Sequence, residues 1–474
     1  MNIQIANFRK ATNYFVGMLP IALIAAGCTP LLQGAASTFT ITPALNEPIG
    51  VAYSSTANKL LFSQPFNGKT NRRVMGVTDA GVSSVFGTLP DRVTAPIPLH
   101  ADAWEDYIAV SPGLGGFTKG AVFVTQGQNI VQIAPTGGAA AFFINIPGLT
   151  DTHTGIAFDD VGTFGYQMIL TGQNAKIYAV NAAGVVTELA SAAGLSQQGQ
   201  VAVENGQVAP LSWGLYGGWF IVGAEDNNKV FAVNPVGTPG QHQVIVLAAG
   251  YPGPETVRFI PASPVNWGVS GGIFFDIIYS GPTTKVIKFP AADFGPSIQG
   301  QALIPHEDDG IIQVMNAFSS PAPATAPTLF PFASNLGQQE GSTFVTVVPS
   351  GPGCTLTQGG YKNNFNSKVT ALFLGGTSYS LTQVNAILQN NSIQGNGALS
   401  LAHQLITAKL NVAYGASIPA AVALAIVQAD QLLATAGGLI PPVGNGYLPT
   451  SATSSVATIL DDYNNGITGP GHCL

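Results

Sequence analysis

Charge is what this chain of 474 residues has least of: 16 Lys and Arg and 23 Asp and Glu make up only 8% of it, with a formal net charge of −7. That is about a third of ordinary globular usage. So few cations cannot build a basic face, which excludes a protein that grips nucleic acid through its phosphates. Cysteine is nearly absent as well, with three in the whole chain, too few soft ligands for a closed tetrahedral zinc site. Past the N-terminal segment no run of about 18 apolar residues occurs, so nothing else there reads as a membrane span. No serine elbow, P-loop or His-Glu-x-x-His motif is found. What is abundant points the other way. A hydrophobic content of 46% and a mean hydropathy of +0.30 supply enough apolar surface to offset chain entropy. With 57 Gly and 33 Pro, about a fifth of the chain is turn-forming, which argues for many short strands and against a helical bundle.

Residues 1–27 read as an address. Arg9 and Lys10 supply the positive start, Tyr14 to Gly27 form an apolar run broken by Pro20, and Ala25-Ala26-Gly27 end it in small residues. The run is shorter than the roughly 20 residues a bilayer span requires. Export follows, as a signal peptide over 1–27 and a Gly/Ala/Ser/Thr tether over 28–40. The sequence Leu23-Ile24-Ala25-Ala26-Gly27-Cys28 resembles a bacterial lipoprotein signal, in which the cysteine becomes the lipidated first residue. Ala25 stands where that motif prefers Leu, and simple cleavage near Cys28 or before Ser37 is the alternative. The expected location is therefore the outer membrane or cell surface, or the medium, with membrane contact only through the lipid.

Cys354 and Cys473 remain. In an exported chain, two thiols bracketing one compositionally distinct segment read most simply as a disulfide. Closing a loop of that length is worth about 4–5 kcal/mol in the loop-entropy account.

Between residues 41 and 349 one pattern recurs: a short β-branched or aromatic strand, a loop, then further apolar strands separated by polar turns. The first copy holds Ile49 to Tyr53, Lys59 to Phe62, Arg73 to Val77 and Val82 to Phe86; the clearest holds Gly155 to Phe158, Gln167 to Thr171, Lys176 to Val180 and Val185 to Leu189. Similar units begin near Tyr107, Gln200 and Thr256, and a degenerate last unit runs through Ile311 to Met315 and Thr343 to Val347. A repeat of roughly 45–55 residues carrying four strands is the mark of a propeller blade. Six such units fit the length, so the expected fold is mainly β, a six-bladed β-propeller. Leu45-Asn46-Glu47-Pro48-Ile49-Gly50-Val51-Ala52 is similar to the blade-opening Leu-x-x-Pro-x-Gly-Ile-Ala of NHL and gluconolactonase-like propellers.

Past Pro349 the period changes. Leu381 to Gln389, Leu399 to Val412, Pro419 to Thr435 and Ser451 to Tyr463 have helical spacing. Ser380, Ser417 and Thr450 or Ser451 are expected N-caps, and Gly415, Gly437 and Gly466 punctuate the ends. Residues 350–474 thus read as a small α-helical, disulfide-closed domain. Cys354 to Asn363, Leu399 to Asn411, and Tyr463-Asn464-Asn465-Gly466 with Gly469-Pro470-Gly471-His472-Cys473 resemble a Cys-bracketed module at the ends of exported bacterial proteins. Its usual Gln-Gly-Tyr-Trp-Lys-Asn-His lacks the Trp here and has Asn364 for His. The resemblance implies a surface-associated accessory domain.

The sparse charged residues cluster before first strands of blades: Glu47; His100, Asp102, Glu105 and Asp106; Asp151 and His153; Glu255; and His306 to Asp309. Innermost strands converge on the propeller axis, so these groups are expected at one channel mouth. Glu47, His100, Asp102, His153, Glu255 and Glu307 are the candidate ligands of a divalent metal such as Ca²⁺. Gluconolactonase-like enzymes place a metal at that mouth, and Glu47 is similar in position to their first-blade ligand. The resemblance implies metal-activated water or a polarised lactone carbonyl. Their Asn-Asp and Asp-Gly motifs do not recur in the middle blades. Trp213, Trp219 and Trp267 are read as packed rather than sugar-stacking, and His403 as a structural histidine. The leading expectation is an exported surface propeller that binds a protein or carbohydrate ligand. A metal-dependent hydrolase and a structural component of a surface assembly are the alternatives.

Overall fold

The computed structural model describes residues 34–64, 70–91, 105–146, 149, 155–172, 175–190, 203–279, 284–318, 329–346, 353–363, 369, 371–391 and 395–473. Residues 1–33, with the expected signal segment and Cys28 among them, and His100, Asp102 and His153 lie outside them.

Six sheets of antiparallel strands are arranged as the blades of a propeller. Blade 3 illustrates the local logic. Its strands Ile156–Phe158, Met168–Thr171, Ile177–Val180 and Val186–Ala190 pair in sequence order. The two central strands are apolar on both faces because each face is covered by a neighbouring blade. Ile169, Ile177 and Ala179 meet Val208, Phe220, Val222 and Phe231 of blade 4 in one such inter-blade core. Blade 1 (Val51–Ser54, Lys59–Gln64, Arg73–Val77, Ser83–Thr88), blade 2 (Ile108–Val110, Val122–Gln126, Asn129–Ile133, Ala141–Asn145) and blade 4 (Gln207–Val208, Phe220–Ala224, Lys229–Val233, Val244–Ala249) repeat the meander. Blade 1 adds Gly138–Ala139 as a parallel fifth strand.

Blades 5 and 6 are interleaved. Blade 5 is built from Arg258–Phe259, Ala302–Pro305, Ile312–Met315 and Leu329–Ala333, skipping the hairpin of Phe274–Tyr279 and Lys285–Phe289. That hairpin belongs to blade 6, whose innermost strand is Gln338–Phe344 and whose outermost is Ser37–Thr38. The expected last unit is therefore corrected: Ile311 to Met315 serves blade 5, and Thr343 serves blade 6. Alternation along a strand specifies which face is buried and says nothing about which of two adjacent sheets it joins. The N-terminal strand closes the ring from outside, with Phe39 buried against Phe275 and Trp267.

The C-terminal segment carries α1 (Gln358–Asn363), a hairpin of Ala371–Leu374 and Thr377–Ser380, α2 (Leu381–Gln389), α3 (Gly397–Ala413), α4 (Ala420–Ala434) and α5 (Thr450–Asn464). Ser380 forms a capping box with Gln383 at the start of α2. Asn396 caps α3 through Ala398 and Leu399. Helices α4 and α5 depart from expectation, following Pro419 and Pro449 with no side-chain cap. Proline's fixed φ sets the chain's entry into each helix in place of a hydroxyl cap. Cys354 and Cys473 are bonded across 119 residues, and Thr355 pairs with Gly471 and Cys473 beside them. This segment shares its core with the propeller. Trp213, Tyr216 and Phe318 of blades 4 and 5 pack in one cluster with Leu405, Ile406, Val422 and Ile426. Trp213, Trp219 and Trp267 are all buried, and His403 meets the Ile387 carbonyl at 2.7 Å, both as packed residues.

Candidate axial site

The starts of the innermost strands fall on one ladder position around the ring. The backbone N–H groups of Ile49, Glu204 and Glu255 each donate to the end of the second strand of their own blade, at Ser63, Gly223 and Pro305. Asp106 holds the matching place in blade 2, its carbonyl accepting from Ser63 Oγ, as Glu204 accepts from Thr171 Oγ1. Glu340 precedes Gly341, whose N–H donates to Ile49 and closes the circle. Adjacent innermost strands approach so closely here that glycine is required. A Cβ on Gly50 would lie 2.6 Å from the Asp106 carbonyl oxygen, and one on Gly155 would lie 2.7 Å from that of Glu204.

That convergence sets Glu204, Glu255 and Glu340 around the axis at 1%, 3% and 5% exposure. Burial pushes all three carboxyls well above the ordinary glutamate range, and repulsion adds to it, from Glu255, Glu105, Glu225 and Glu307 at Glu204 and Glu340 and from Glu105 and Glu307 at Glu255. Glu225 is pushed up to about 10, first by burial and then by its hydrogen bond with Glu307. Glu307 also accepts from Gln338 Nε2. Tyr107 of blade 2 reaches across to blade 5, where its O–H donates to Glu255 Oε1. Burial, followed by the same glutamates, raises the phenol well above its usual value. Asp106 is held by Arg72 in a buried ion pair. Neither carboxyl oxygen of Glu204 has a hydrogen-bond partner among the described residues.

His306 lies beside this group. Its Nδ1 is 3.2 Å from Asp309 Oδ1, its ring meets Tyr251 edge-on at 5.2 Å, and its Nε2 has no partner among the described residues. Burial lowers its pKa and Asp309 opposes that.

Of the residues singled out from sequence, the fold brings Glu255 and Glu307 together. Glu47 precedes blade 1 with a left-handed backbone and its charge is felt at Tyr279, toward blade 6. Among the described residues no three His, Cys, Asp or Glu side chains gather closely enough to hold one metal ion. Tyr107, Glu204, Glu225 and Glu340 escaped the sequence reading. For Glu204 the signal was the register. Gln200 to Val203 looks like the first strand, whereas the paired strand begins at Gln207, which moves Glu204 to the opening position.

No protein-family model matches the sequence, and a search of curated proteins finds no relative. Among solved structures the chain is similar to a putative gluconolactonase (9% identity, 64% of this chain and 93% of that chain, TM-score 0.33). It is also similar to a putative 6-phosphogluconolactonase from Bacteroides uniformis (14%, 65% and 90%, 0.34) and an auxiliary nutrient binding protein from Bacteroides thetaiotaomicron (9%, 64% and 68%, 0.36). At these identities the likeness concerns fold only.

Proposed function

We propose that the chain is an exported propeller that binds a cationic group at its axial glutamates, presented by a ligand or by a protein partner at the cell surface. The observation that carries this reading is Glu204, a buried carboxyl whose two oxygens have no donor among the described residues while four other glutamates act on it. Leaving such a group unpaired is costly, and a bound cation removes that cost while drawing protons from the neighbours. Because the described acids do not close around one point, an extended ammonium or guanidinium suits them better than a bare ion. The disulfide supports the export half of the reading, since such bonds persist in oxidising compartments. The lipid at Cys28 belongs to the same proposal.

A metal-dependent hydrolase is the second reading, favoured by His306, whose Nε2 has no partner among the described residues and whose Nδ1 is oriented by Asp309. One experiment separates the two. Thermal unfolding is followed with spermidine, with Ca²⁺, Mn²⁺ and Zn²⁺, and with neither, while acid release from γ- and δ-lactones is recorded in a pH-stat. Spermidine is expected to raise Tm, by about 2.7 kcal/mol of stability at a hundredfold excess over Kd, and Glu204→Gln to abolish the effect. Lactone hydrolysis that needs a metal and is lost in His306→Asn would move the assignment to the hydrolase. No response to any cation removes both.

A further inference from the structure

The axial channel has two ends, and the glutamates occupy the one from which the innermost strands start. Toward the other end those six strands wall a cavity of about 640 Å³, within the range of small-molecule sites. Its rim is formed by residues that follow the strands, including Ser55, Pro112 and Leu114, and it carries one charge of each sign, Lys119 and Asp160. It is therefore a chamber apart from the glutamate mouth.

Two residues beyond the close-packed ring of Gly50 and Gly155, each innermost strand contributes one side chain at a common level: Ala52, Ala109, Ala157, Gln207, Arg258 and Thr343. All six line the cavity. The ring is two-faced. Blades 1–3 present only methyl groups, and blades 4–6 present an amide, a guanidinium and a hydroxyl. The alanines are what leave the space open.

Arg258 is held rigidly in the polar half. Its Nε donates to the Ser342 carbonyl at 2.8 Å, and its Nη1 to that of Val257 at 2.9 Å and, at longer range, to those of Asn205 and Gly206. With the Asn205 amide turned to satisfy its neighbours, Asn205 Oδ1 accepts from Nη2 at 3.0 Å. A guanidinium has two hydrogens on Nη2, so one donor there is left over. Tyr107, Glu255 and Asp276 act on Arg258 through their field, but no carboxylate among the described residues forms an ion pair with it. The burial of this unpaired cation lowers its pKa to about 10. Next to it, Gln207 uses Oε1 to accept from the Phe259 N–H at 3.0 Å, and among the described residues no hydrogen bond engages its Nε2. A planar anion is the group that two such donors recognise.

We propose that this second axial chamber binds a small organic carboxylate, with the carboxylate on Arg258 and Gln207 and the apolar body against Ala52, Ala109 and Ala157.

Benzoate, phenylacetate and hexanoate are the probes, with benzyl alcohol, benzylammonium and chloride as controls, read by saturation-transfer NMR and by Tm of the full chain. Binding of at least one carboxylate is expected, with none for the alcohol or ammonium. Arg258 ties three blades together, so the variant of choice is Ala157→Phe, which fills the apolar half and leaves Arg258 in place. It should weaken carboxylate binding at least tenfold while its Tm without ligand stays close to that of the parent. The proposal is overturned if no carboxylate binds, if benzyl alcohol or chloride does equally well, or if binding survives Ala157→Phe. The spermidine response belongs to the other mouth and should persist in Ala157→Phe, so each reading can fail alone.

Discussion

Glu204 shows how a single side chain takes its chemistry from its neighbours. On an isolated strand it would be an ordinary glutamate. Surrounded by Glu105, Glu225, Glu255 and Glu307 and removed from water, its carboxyl holds its proton far above the usual range. The sign of the consequence follows from linkage. The unfolded chain releases these protons near pH 4.3, while the folded ring keeps them, to about pH 10 at Glu225. The stabilisation is therefore complete below that lower value and is lost as pH rises toward the folded values. Without a bound cation, Tm should fall between about pH 5 and pH 9, and Glu204→Gln should flatten that fall and be the more stable protein at the alkaline end. Denaturation midpoints across that range are the check, and a parent protein whose Tm rises with pH would contradict the assignment.

At the scale of elements, the interleaving of blades 5 and 6 makes closure depend on pieces far apart in the chain. The hairpin Phe274–Tyr279 and Lys285–Phe289 lies between a strand from the N-terminus and one near residue 340. Phe39 anchors the outer piece, packed edge-on to Phe275 at 5.1 Å and tilted against Trp267. Phe39→Ala is expected to cost about 3–5 kcal/mol in chemical denaturation, the usual price of a buried aromatic truncation. A cost under about 1 kcal/mol would mean that the N-terminal strand does not clasp the ring. Within the helical segment, spacing revealed all four longer helices to within two residues of their ends, because each keeps a periodic apolar face. The short helix Gln358–Asn363 and the hairpin at Ala371–Ser380 carry no such period and emerge only from their packing.

Propeller and helical segment fall in one compact unit, Gln33–Leu474. Its largest core runs without interruption from Trp213 and Phe318 in the propeller to Leu405 and Ile426 in the helices. Propeller and helical segment should therefore melt in a single calorimetric transition while the Cys354–Cys473 bond is intact. Reduction should lower stability by up to about 4–5 kcal/mol, the entropy released by opening its loop. Two separated transitions in the oxidised protein would show that the shared core does not couple them.

Strand alternation, the blade-length repeat and the helical period after Pro349 are local properties, so the six-bladed architecture and the helices were determined by the sequence alone. So was the pair of thiols that bracket the last segment. What only the tertiary structure decided is which of the scattered acids meet. Tyr107 and Glu255 are 148 residues apart and face each other across the axis. Glu47 stands before its blade like the others yet acts toward blade 6, and the amphipathic ring of Ala157 and Arg258 exists only when six strands are brought level. Burial, and with it the protonation of a carboxyl, depends on every neighbour at once, and no local pattern carries that information.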